Sequence, residues 1–295
     1  MCRSTFYMGP RIRLSALLLE PAHSLIRQSS HSRERDEPLN GDGFGVGWYA
    51  REHGPEPAVF RSITPAWNNR NLHNLARVVA SDCILAHVRA ATQSSGVNEA
   101  NCHPFRYRQY LCMHNGDIGG FEHVRRRLLE SVGDEAFANV YGSTDSEHFF
   151  AVFIDELLAL PDAPDPAARM AQALDRAIAR VVDIVRCHGG GEPSYLNVAI
   201  SDGSNAVVSR FVDPGPEHAQ TLYYHVGGIY PQQPSRRAGE DGDARHAIVV
   251  SSERLTESDS WQEVPVNHMV QMTRGRPPAV RACTASTWQR DAVPA

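Results

Sequence analysis

Met1-Cys2-Arg3 opens the chain, and the small side chain at position 2 favours removal of the initiator methionine. The first residue would then carry a thiol beside a free α-amine, whose pKa of about 7.7–8.0 suits a general base near neutral pH. N-terminal amines activate hydroxyl nucleophiles in this way, and the same chemistry extends to a thiol. Many proteins carry a cysteine here without using it, so the nucleophile interpretation of Cys2 depends on the rest of the chain.

The overall composition is that of a globular protein with an apolar core. Of the 295 residues, 42% are hydrophobic and 21% are charged, and the net charge is -5. No basic block with interleaved aromatic residues indicates nucleic-acid binding. The apolar run from Leu14 to Leu19 is too short for a membrane span and ends at Glu20-Pro21, which argues against a signal peptide. Neither nucleic acid nor a membrane is therefore expected as a partner.

The cysteine content bounds the compartment and the metal chemistry. Six cysteines are too few for a disulfide framework in a chain of this length, so a reducing, cytoplasmic location is predicted. A cysteine–histidine zinc site is the alternative, but the spacing fits no standard ligand set, and neither a metal nor a cofactor is predicted. The candidate ligands for such a zinc site are Cys83, His87, Cys102, His103, Cys112 and His114.

Hydrophobic periodicity predicts strands, then a block of helices, then strands again. The pattern favours an α+β fold in which two sheets pack together with helices outside. No repeat or linker divides the chain, so a single domain over residues 2–281 and a loose tail over 282–295 are predicted. Helices are expected over 14–29 with a break at Pro21, 68–79, 121–131, from Thr144 and over 166–187; strands are expected over 3–8, 46–49, 58–63, 83–89, 110–114, 195–201, 206–212, 221–226, 246–252 and 268–272.

A glycine-rich segment extends from Asn40 to Tyr49. It lacks the strand-to-helix context of a dinucleotide-binding loop, because it runs into a predicted strand instead. Closely spaced glycines allow a sharp turn or a close approach to the backbone. The segment is therefore interpreted either as a hairpin corner or as a loop that closes over a small ligand.

Three polar motifs lie at the ends of predicted strands or at the start of a predicted helix. Arg89 ends an apolar strand, where it could enter a pocket or lie on the surface. Asn115-Gly116 predicts a tight turn, or an oxyanion hole formed by an amide side chain and a glycine N–H. Thr144 and Glu147 form a capping box that places Asp145 in the first turn of a helix, where the helix dipole favours a carboxylate even without another role.

In combination, these motifs resemble the class II glutamine amidotransferases, an N-terminal nucleophile hydrolase family. The matching motifs occur in the family's order over roughly the first half of the chain. The resemblance implies a four-layer αββα sandwich. The motifs are Met1-Cys2-Arg3, the segment 40–49, His87-Val88-Arg89-Ala90-Ala91-Thr92, Asn101-Cys102-His103-Pro104, His114-Asn115-Gly116 and Ser143-Thr144-Asp145-Ser146.

The resemblance also implies catalytic roles for three matched residues. Cys2 corresponds to the nucleophile, and Asn115 with Gly116 corresponds to the oxyanion hole. His87 and His103 match positions with a supporting role. Two positions differ from the histidines found in many family members, and they are occupied by Gln93 and Phe105.

Substrate-binding roles are implied for three further residues. Arg89, helped by Thr92, corresponds to the group that binds the substrate α-carboxylate. Asp145 corresponds to the group that binds the α-ammonium. An arginine fork suits a carboxylate, and an aspartate suits an ammonium, so these roles agree with the chemistry of the side chains.

The runs 21–24 and 63–69 and the strands past Tyr195 resemble a branch of stand-alone γ-glutamyl hydrolases. That branch includes the fungal subunit that degrades glutathione and the γ-glutamyl hydrolase of the ergothioneine pathway. The resemblance implies hydrolysis of a γ-glutamyl amide through a thioester on Cys2, with release of glutamate. The alternatives are a glutaminase subunit that feeds ammonia to a separate synthase and a non-catalytic binding module. The complete set of polar site residues argues against a non-catalytic binding module. A partner peptidase or synthase subunit is a possible partner of the chain.

Overall fold

The computed structural model describes residues 2–34, 39–90, 96–215, 219–227 and 246–287. Within these residues, two antiparallel β-sheets pack face to face, and helices cover the outer face of each sheet. One buried apolar cluster lies between the two sheets. A second lies between the first sheet and its helices, and a third lies between the second sheet and its helices. This arrangement is an α+β, four-layer αββα sandwich, so the predicted fold class is confirmed.

The first sheet is built around the N-terminal strand β1 (Arg3–Arg13). Strand β1 pairs on one side with β4 (Ala80–Val88) and on the other with β11 (Ile248–Ser251). Flanking strands on both sides hold the residues next to Cys2 in a rigid ladder. The described strands that complete this sheet are β2 (Phe44–Tyr49) and β3 (Pro57–Ser62) beyond β4, and β10 (Tyr223–Val226) and β12 (Gln262–Glu263) beyond β11.

In the second sheet, β6 (Tyr110–Asp117) pairs with the central strand β7 (Ser194–Ser201). Side chains alternate along β6, so that Leu111 and Met113 enter the core between the sheets while Cys112 faces the helices. Residue 115 therefore faces the first sheet. The other described strands are β5 (Phe105–Tyr107), β8 (Asn205–Arg210), β9 (Val212–Asp213), β13 (His268–Thr273) and β14 (Ala279–Ala282).

The two longest described helices begin at the capping side chains that the sequence predicts. The Thr144 hydroxyl accepts from Glu147 N at 3.3 Å, and the Asp165 carboxylate accepts from Ala168 N at 3.0 Å, so both predicted starts are confirmed. None of the helices in the described segments combines the length and apolar composition needed to cross a bilayer. The helices are α1 (Leu14–Leu18), α2 (Leu25–Ser30) and α3 (Arg70–Val78) on the first sheet, and α4 (Phe121–Glu130), α5 (Asp134–Phe137), α6 (Asp145–Ala159) and α7 (Pro166–His188) on the second.

The glycine-rich segment forms neither a hairpin corner nor a ligand loop over most of its length. It forms strand β2, which lies between β3 and β4. A Cβ at Gly45 would lie 2.0 Å from the His103 carbonyl oxygen, and one at Gly47 would lie 2.6 Å from Leu111 Cδ1. Glycine is needed at these positions because β2 packs directly against the chain of the second sheet.

Ordered packing continues beyond the predicted domain boundary at residue 281. Cys283 and Ala285 are buried in the cluster beneath α7, and the Thr284 backbone N–H donates to Asp175 on that helix at 3.0 Å. Cys283 and Ala285 thus fill the helix–sheet interface within the segment that was predicted as a loose tail. Residues 288–295 lie outside the described residues.

Candidate active site

The pairing of β1 with β4 brings the N-terminus to the end of the strand that precedes Arg89. Arg3 lies opposite Val88 in this antiparallel ladder, so the next positions along each strand are Cys2 and Arg89. The Cys2 thiol donates to the Ala90 carbonyl at a sulfur–oxygen distance of 3.6 Å. Cys2, the predicted nucleophile, and Arg89, predicted to bind the substrate carboxylate, therefore lie side by side where two central strands of the first sheet end.

The Cys2 thiol is half-buried, and its environment disfavours the thiolate. Burial is the main cause that raises the pKa of the Cys2 thiol; the positive charge of Arg89 opposes this effect, and the negative charge of Asp117 adds to it. Near neutral pH the group is thus a thiol and not a thiolate. A nucleophile in this state needs a base to accept its proton during attack.

Arg89 directly follows β4 and is almost fully buried. Its backbone N–H donates to the Gly43 carbonyl at 2.8 Å, and its carbonyl accepts from Asp42 N at 3.0 Å. Nη1 of the guanidinium donates to the Gly96 carbonyl at 3.4 Å. These contacts anchor the backbone of Arg89 against the glycine-rich segment, so that segment serves the site by packing.

Asn115 enters the same region from the second sheet. Its side chain is buried, and Nδ2 donates to the hydroxyl of Ser252 at 3.2 Å, across the gap between the sheets. Ser252 directly follows β11, so the ends of β1, β4, β6 and β11 meet here. The carbonyl oxygen Oδ1 of Asn115 has no hydrogen-bond partner among the described residues.

Gly116 is required by the space around it. A Cβ at this position would lie 1.8 Å from the carbonyl oxygen of Tyr195 and 2.8 Å from Nε2 of His114. The neighbouring strand therefore leaves no room for any larger residue beside Asn115. This agrees with the predicted pairing of an amide side chain and a glycine, although it does not by itself assign a role to the glycine N–H.

Asp145 is tied to the end of β6 by its carboxylate. Oδ2 accepts from the backbone N–H of Ile118 at 2.9 Å, and Oδ1 accepts from Ser146 N at 2.8 Å. The hydroxyl of Ser146 also contacts Nδ1 of His114 at 2.9 Å, which fixes the first turn of α6 against β6. A carboxylate can accept about four hydrogen bonds, so Asp145 keeps capacity for a cationic ligand.

Asp117 is a site residue that the sequence interpretation missed. It lies two positions after Asn115 on β6, and alternation along the strand places it on the same face. Asp117 and Asp145 line one cavity of about 480 Å³ together with Tyr195 and the start of α4. Burial and the neighbouring charge of Asp145 raise the pKa of Asp117 to about 6. The period-2 pattern of the strand was the signal that could have identified it.

His87 and His103 lie behind the site, between the two sheets. Their ring centroids are 4.1 Å apart, and Nε2 of His87 contacts the His114 carbonyl at 3.2 Å. Burial lowers the pKa of His87 to about 3 and lowers that of His103 well below its usual value. Both rings are therefore neutral near pH 7, and the His87–His114 contact ties β4 to β6 next to Asn115. This geometry agrees with a supporting role.

Two further predictions concern positions around this centre. Thr92 and Gln93 lie outside the described residues. Phe105, which replaces a histidine of the family pattern, packs at 4.6 Å between ring centroids against His103. Across the described segments, no three His, Cys, Asp or Glu side chains converge as metal ligands would.

Comparison with known proteins gives the class of this chain. The family model for class-II glutamine amidotransferases matches residues 21–218. The chain belongs to the class II glutamine amidotransferases, and it is therefore an enzyme that acts on γ-glutamyl amides.

The individual relatives point to one branch of that family. The chain is 41% identical over 294 residues to the probable glutamine amidotransferase DUG3 of Saccharomyces cerevisiae, covering 92% of this chain and 81% of the yeast protein. It is 27% identical over 275 residues to the γ-glutamyl-hercynylcysteine sulfoxide hydrolase of Mycobacterium tuberculosis, covering 93% and 94% of the two chains. The predicted resemblance to the hydrolase branch is thus confirmed.

Solved structures support the same fold. A glutamine aminotransferase class-II domain protein from Silicibacter pomeroyi superposes with a TM-score of 0.64 and 29% identity, covering 95% of this chain and 99% of that one. The glutamine phosphoribosylpyrophosphate amidotransferase of B. subtilis superposes with a TM-score of 0.57 at 13% identity, covering 95% of this chain and 49% of that one. The second likeness concerns the fold alone.

Proposed function

We propose that this enzyme hydrolyses the γ-glutamyl amide bond of a small peptide-like compound through a thioester on Cys2, with release of glutamate. The observation that carries the proposal is the convergence of four strand ends. Cys2 lies beside Arg89 where the central strands of the first sheet end, and Asn115 of the second sheet contacts the same region through Ser252. Nucleophile, cation and amide donor are the groups that such a cleavage requires.

The zwitterionic end of the γ-glutamyl group is bound by opposite charges. Arg89 binds the α-carboxylate, because a guanidinium can donate two parallel hydrogen bonds to a carboxylate. Asp145 binds the α-ammonium, and Asp117 adds negative charge to the same cavity. Thr92 is proposed, from the family resemblance, to assist Arg89. With both ends of the amino acid fixed, the γ-carbonyl extends toward Cys2.

The chemical steps begin once Met1 has been removed. The Cys2 α-amine accepts the thiol proton as the sulfur attacks the γ-carbonyl carbon, which forms the carbon–sulfur bond of a tetrahedral oxyanion. Asn115 Nδ2 and the Gly116 N–H donate to that oxyanion. Collapse breaks the carbon–nitrogen bond, and the α-ammonium returns its proton to the leaving amine. Water then attacks the thioester, giving glutamate and the free thiol.

The substrate is proposed to be a γ-glutamyl compound with an amino-acid or peptide leaving group, such as glutathione, in preference to free glutamine. The named activity of the mycobacterial relative, a γ-glutamyl hydrolase, supports this choice. A glutaminase subunit that supplies ammonia to a partner synthase is the second candidate, supported by the name of the yeast relative. The proposed location is the cytoplasm, where the thiols of its cysteines would stay reduced.

The substrate assignment predicts a clear order of rates. With purified enzyme, we expect kcat/KM for glutathione and γ-glutamyl dipeptides to exceed that for glutamine, measured as glutamate released. Arg89→Ala should lower kcat/KM. The loss corresponds to about 1.5–3 kcal/mol of transition-state stabilisation, because the α-carboxylate of the substrate loses its charge-assisted hydrogen bonds.

A matched control for Arg89 is Arg61→Ala. The Arg61 guanidinium donates to the Pro104 carbonyl and has no contact with Cys2, so its loss should leave KM nearly unchanged. Turnover of glutamine alone, and only in the presence of an added synthase, would replace the hydrolase assignment with the ammonia-supplying one.

The pKa of Asp117 predicts an acidic limb in the pH profile. Below a pH of about 6 this carboxyl gains a proton, so the cavity loses negative charge and binds the α-ammonium less well. We expect kcat/KM to fall as the pH is lowered from 7 to 5. Asp117→Asn should be less active than wild type at pH 7 but should show a much flatter profile over this range, with circular dichroism confirming the fold at each pH. If kcat/KM of Asp117→Asn fell between pH 7 and pH 5 as steeply as that of wild type, the acidic limb would belong to another titrating group.

A further inference from the structure

We propose that Ser252 and Glu253, the two residues that directly follow β11, are positioning residues that fix the nucleophile relative to the oxyanion donor. The inference rests on the proposed function, since it assumes that Cys2 and Asn115 act in the same reaction. Both residues are buried at the point where the two sheets meet. They lie far from the other site residues in the sequence, and no motif of the first half of the chain includes them.

The hydroxyl of Ser252 has a complete set of hydrogen bonds. It accepts from the Ser4 backbone N–H at 3.1 Å and from Asn115 Nδ2 at 3.2 Å, which uses both of its acceptor positions. Its own hydrogen is then left for Ser4 Oγ, which lies 3.1 Å away. One hydroxyl thus joins the strand behind Cys2 to the amide side chain of Asn115.

The orientation of the Asn115 amide follows from this contact. An amide nitrogen carries two hydrogens in one plane, and the bond to Ser252 fixes the direction of the first. The direction of the second hydrogen is then also fixed. An oxyanion hole is effective when its donors are oriented before the charge develops, so Ser252 supplies preorganisation without touching the substrate.

Glu253 acts on the other side, through Arg3. Its Oε1 accepts from Arg3 Nε at 2.6 Å in a buried ion pair, and Arg3 Nη1 donates to the Cys2 carbonyl at 2.9 Å. Further donors to the Glu253 carboxylate are the Ser32 hydroxyl and the backbone N–H of Arg33 at 3.1 Å. The carboxylate therefore holds the guanidinium, and the guanidinium holds the peptide group of Cys2.

An N-terminal nucleophile has a particular need for such a tether. Chain ends fray unless other contacts hold them, and a residue at position one of the mature chain has a covalent neighbour on one side only. A displacement of about 1 Å at the reacting centre can cost roughly 10²-fold in rate. The Arg3–Glu253 pair and the Ser252 hydroxyl supply the missing constraints from opposite sides.

The neighbouring Ser251 provides a matched control. It is equally buried, and its hydroxyl accepts from Thr5 Oγ1 at 2.7 Å, so it too ties β11 to β1. It has no hydrogen bond to Asn115, Arg3 or Cys2 among the described residues. If these serines only stabilised the pairing of β1 with β11, Ser251→Ala and Ser252→Ala would have similar effects on kcat.

The test measures kcat and KM for a γ-glutamyl amide that wild type turns over, with Cys2→Ala as the inactive reference. We expect Ser252→Ala to lower kcat about ten- to a hundredfold with little change in KM. This loss is smaller than the roughly 10²–10³-fold loss expected when an oxyanion donor itself is removed. The kcat of Ser251→Ala should stay within about twofold of the wild-type value. Ser252→Cys, which keeps a weak acceptor of similar size, should fall between wild type and Ser252→Ala and serves if the alanine variant does not fold. In an Asn115→Ala background, Ser252→Ala should lower kcat much less than it does in wild type, because its contact to that amide is already lost and only its contact to Ser4 remains.

A second readout follows the nucleophile itself and does not depend on turnover. The rate of Cys2 alkylation by iodoacetamide, read from the N-terminal peptide by mass spectrometry, should change in Glu253→Gln and stay at the wild-type value in Ser251→Ala. Wild-type kcat in Ser252→Ala together with wild-type alkylation in Glu253→Gln would overturn the positioning proposal while leaving the hydrolase function intact. A wild-type enzyme that cleaves no γ-glutamyl amide would refute the proposed function, and the alkylation rates would still decide whether Glu253 positions Cys2.

Discussion

Cys2→Ala is expected to abolish turnover, with kcat reduced by at least about 10⁴-fold, because in the proposed mechanism the thiol forms the only covalent bond to the substrate. The fold should survive. Cys2 is half-buried, and among the described residues its sulfur has one weak hydrogen bond, to the Ala90 carbonyl, so the free energy of unfolding should change by less than about 1 kcal/mol. The measurement is glutamate release together with thermal unfolding of the same preparation.

The control for this variant is Cys187→Ala. Cys187 is exposed near the end of α7, on the helix layer outside the second sheet, so its loss should leave kcat unchanged. Intact mass of the active wild-type protein should show that Met1 is absent. Fully active protein that retains Met1 would contradict the amine-as-base mechanism, and wild-type rates in Cys2→Ala would contradict the nucleophile assignment.

Asn115→Ala is expected to lower kcat by about 10²–10³-fold and to change KM little, because in the proposed mechanism its amide donates to an oxygen that is charged only in the transition state. The thioester should form more slowly in single-turnover experiments, while the affinity for a non-hydrolysable γ-glutamyl analogue should stay near the wild-type value. The variant also leaves Ser252 without one of its donors, so the loss includes the positioning contact described above.

The control for Asn115 lies directly opposite on the neighbouring strand. Asn197 pairs with Asn115 in the β6–β7 ladder, and its amide donates to the Thr221 carbonyl at 3.3 Å. Asn197→Ala should therefore affect stability more than kcat. An equal loss of kcat in both variants would mean that the strand, and not the amide of Asn115, is responsible.

The fold could be predicted from the sequence because its signals are local and redundant. The capping residue Thr144 and the break at Pro21 mark helix ends within a few residues of the chain that they control, and α6 begins at Asp145 as expected. The short elements β5 and α5 were not predicted, because three or four residues are too few to show a periodicity. The neighbour that requires glycine at position 45 could not be predicted, since the close approach comes from the His103 carbonyl, which precedes β5.

The candidate site was predictable to the extent that its residues follow recognisable motifs. Asp117 could have been found from its spacing to Asn115, because strand residues two apart share a face. Ser252 and Glu253 could not, because their partners Asn115 and Arg3 are separated from them by 137 and 250 positions. Contacts of this kind depend on which strands become neighbours, and hydrophobic patterning does not determine that order.

The pairing of β1 with β11 also has a consequence for when the enzyme becomes active during its synthesis. Thr5 lies opposite Ser251, and Glu253 holds Arg3, so the first strand is completed by some of the last residues of the described chain. Contacts between such distant segments form late and slowly, since a long loop must close before they stabilise anything. A nascent chain on the ribosome thus carries an exposed thiol but no assembled catalytic centre until residue 253 has emerged. Assembly of the proposed site therefore waits for a segment that is synthesised 250 positions after Arg3.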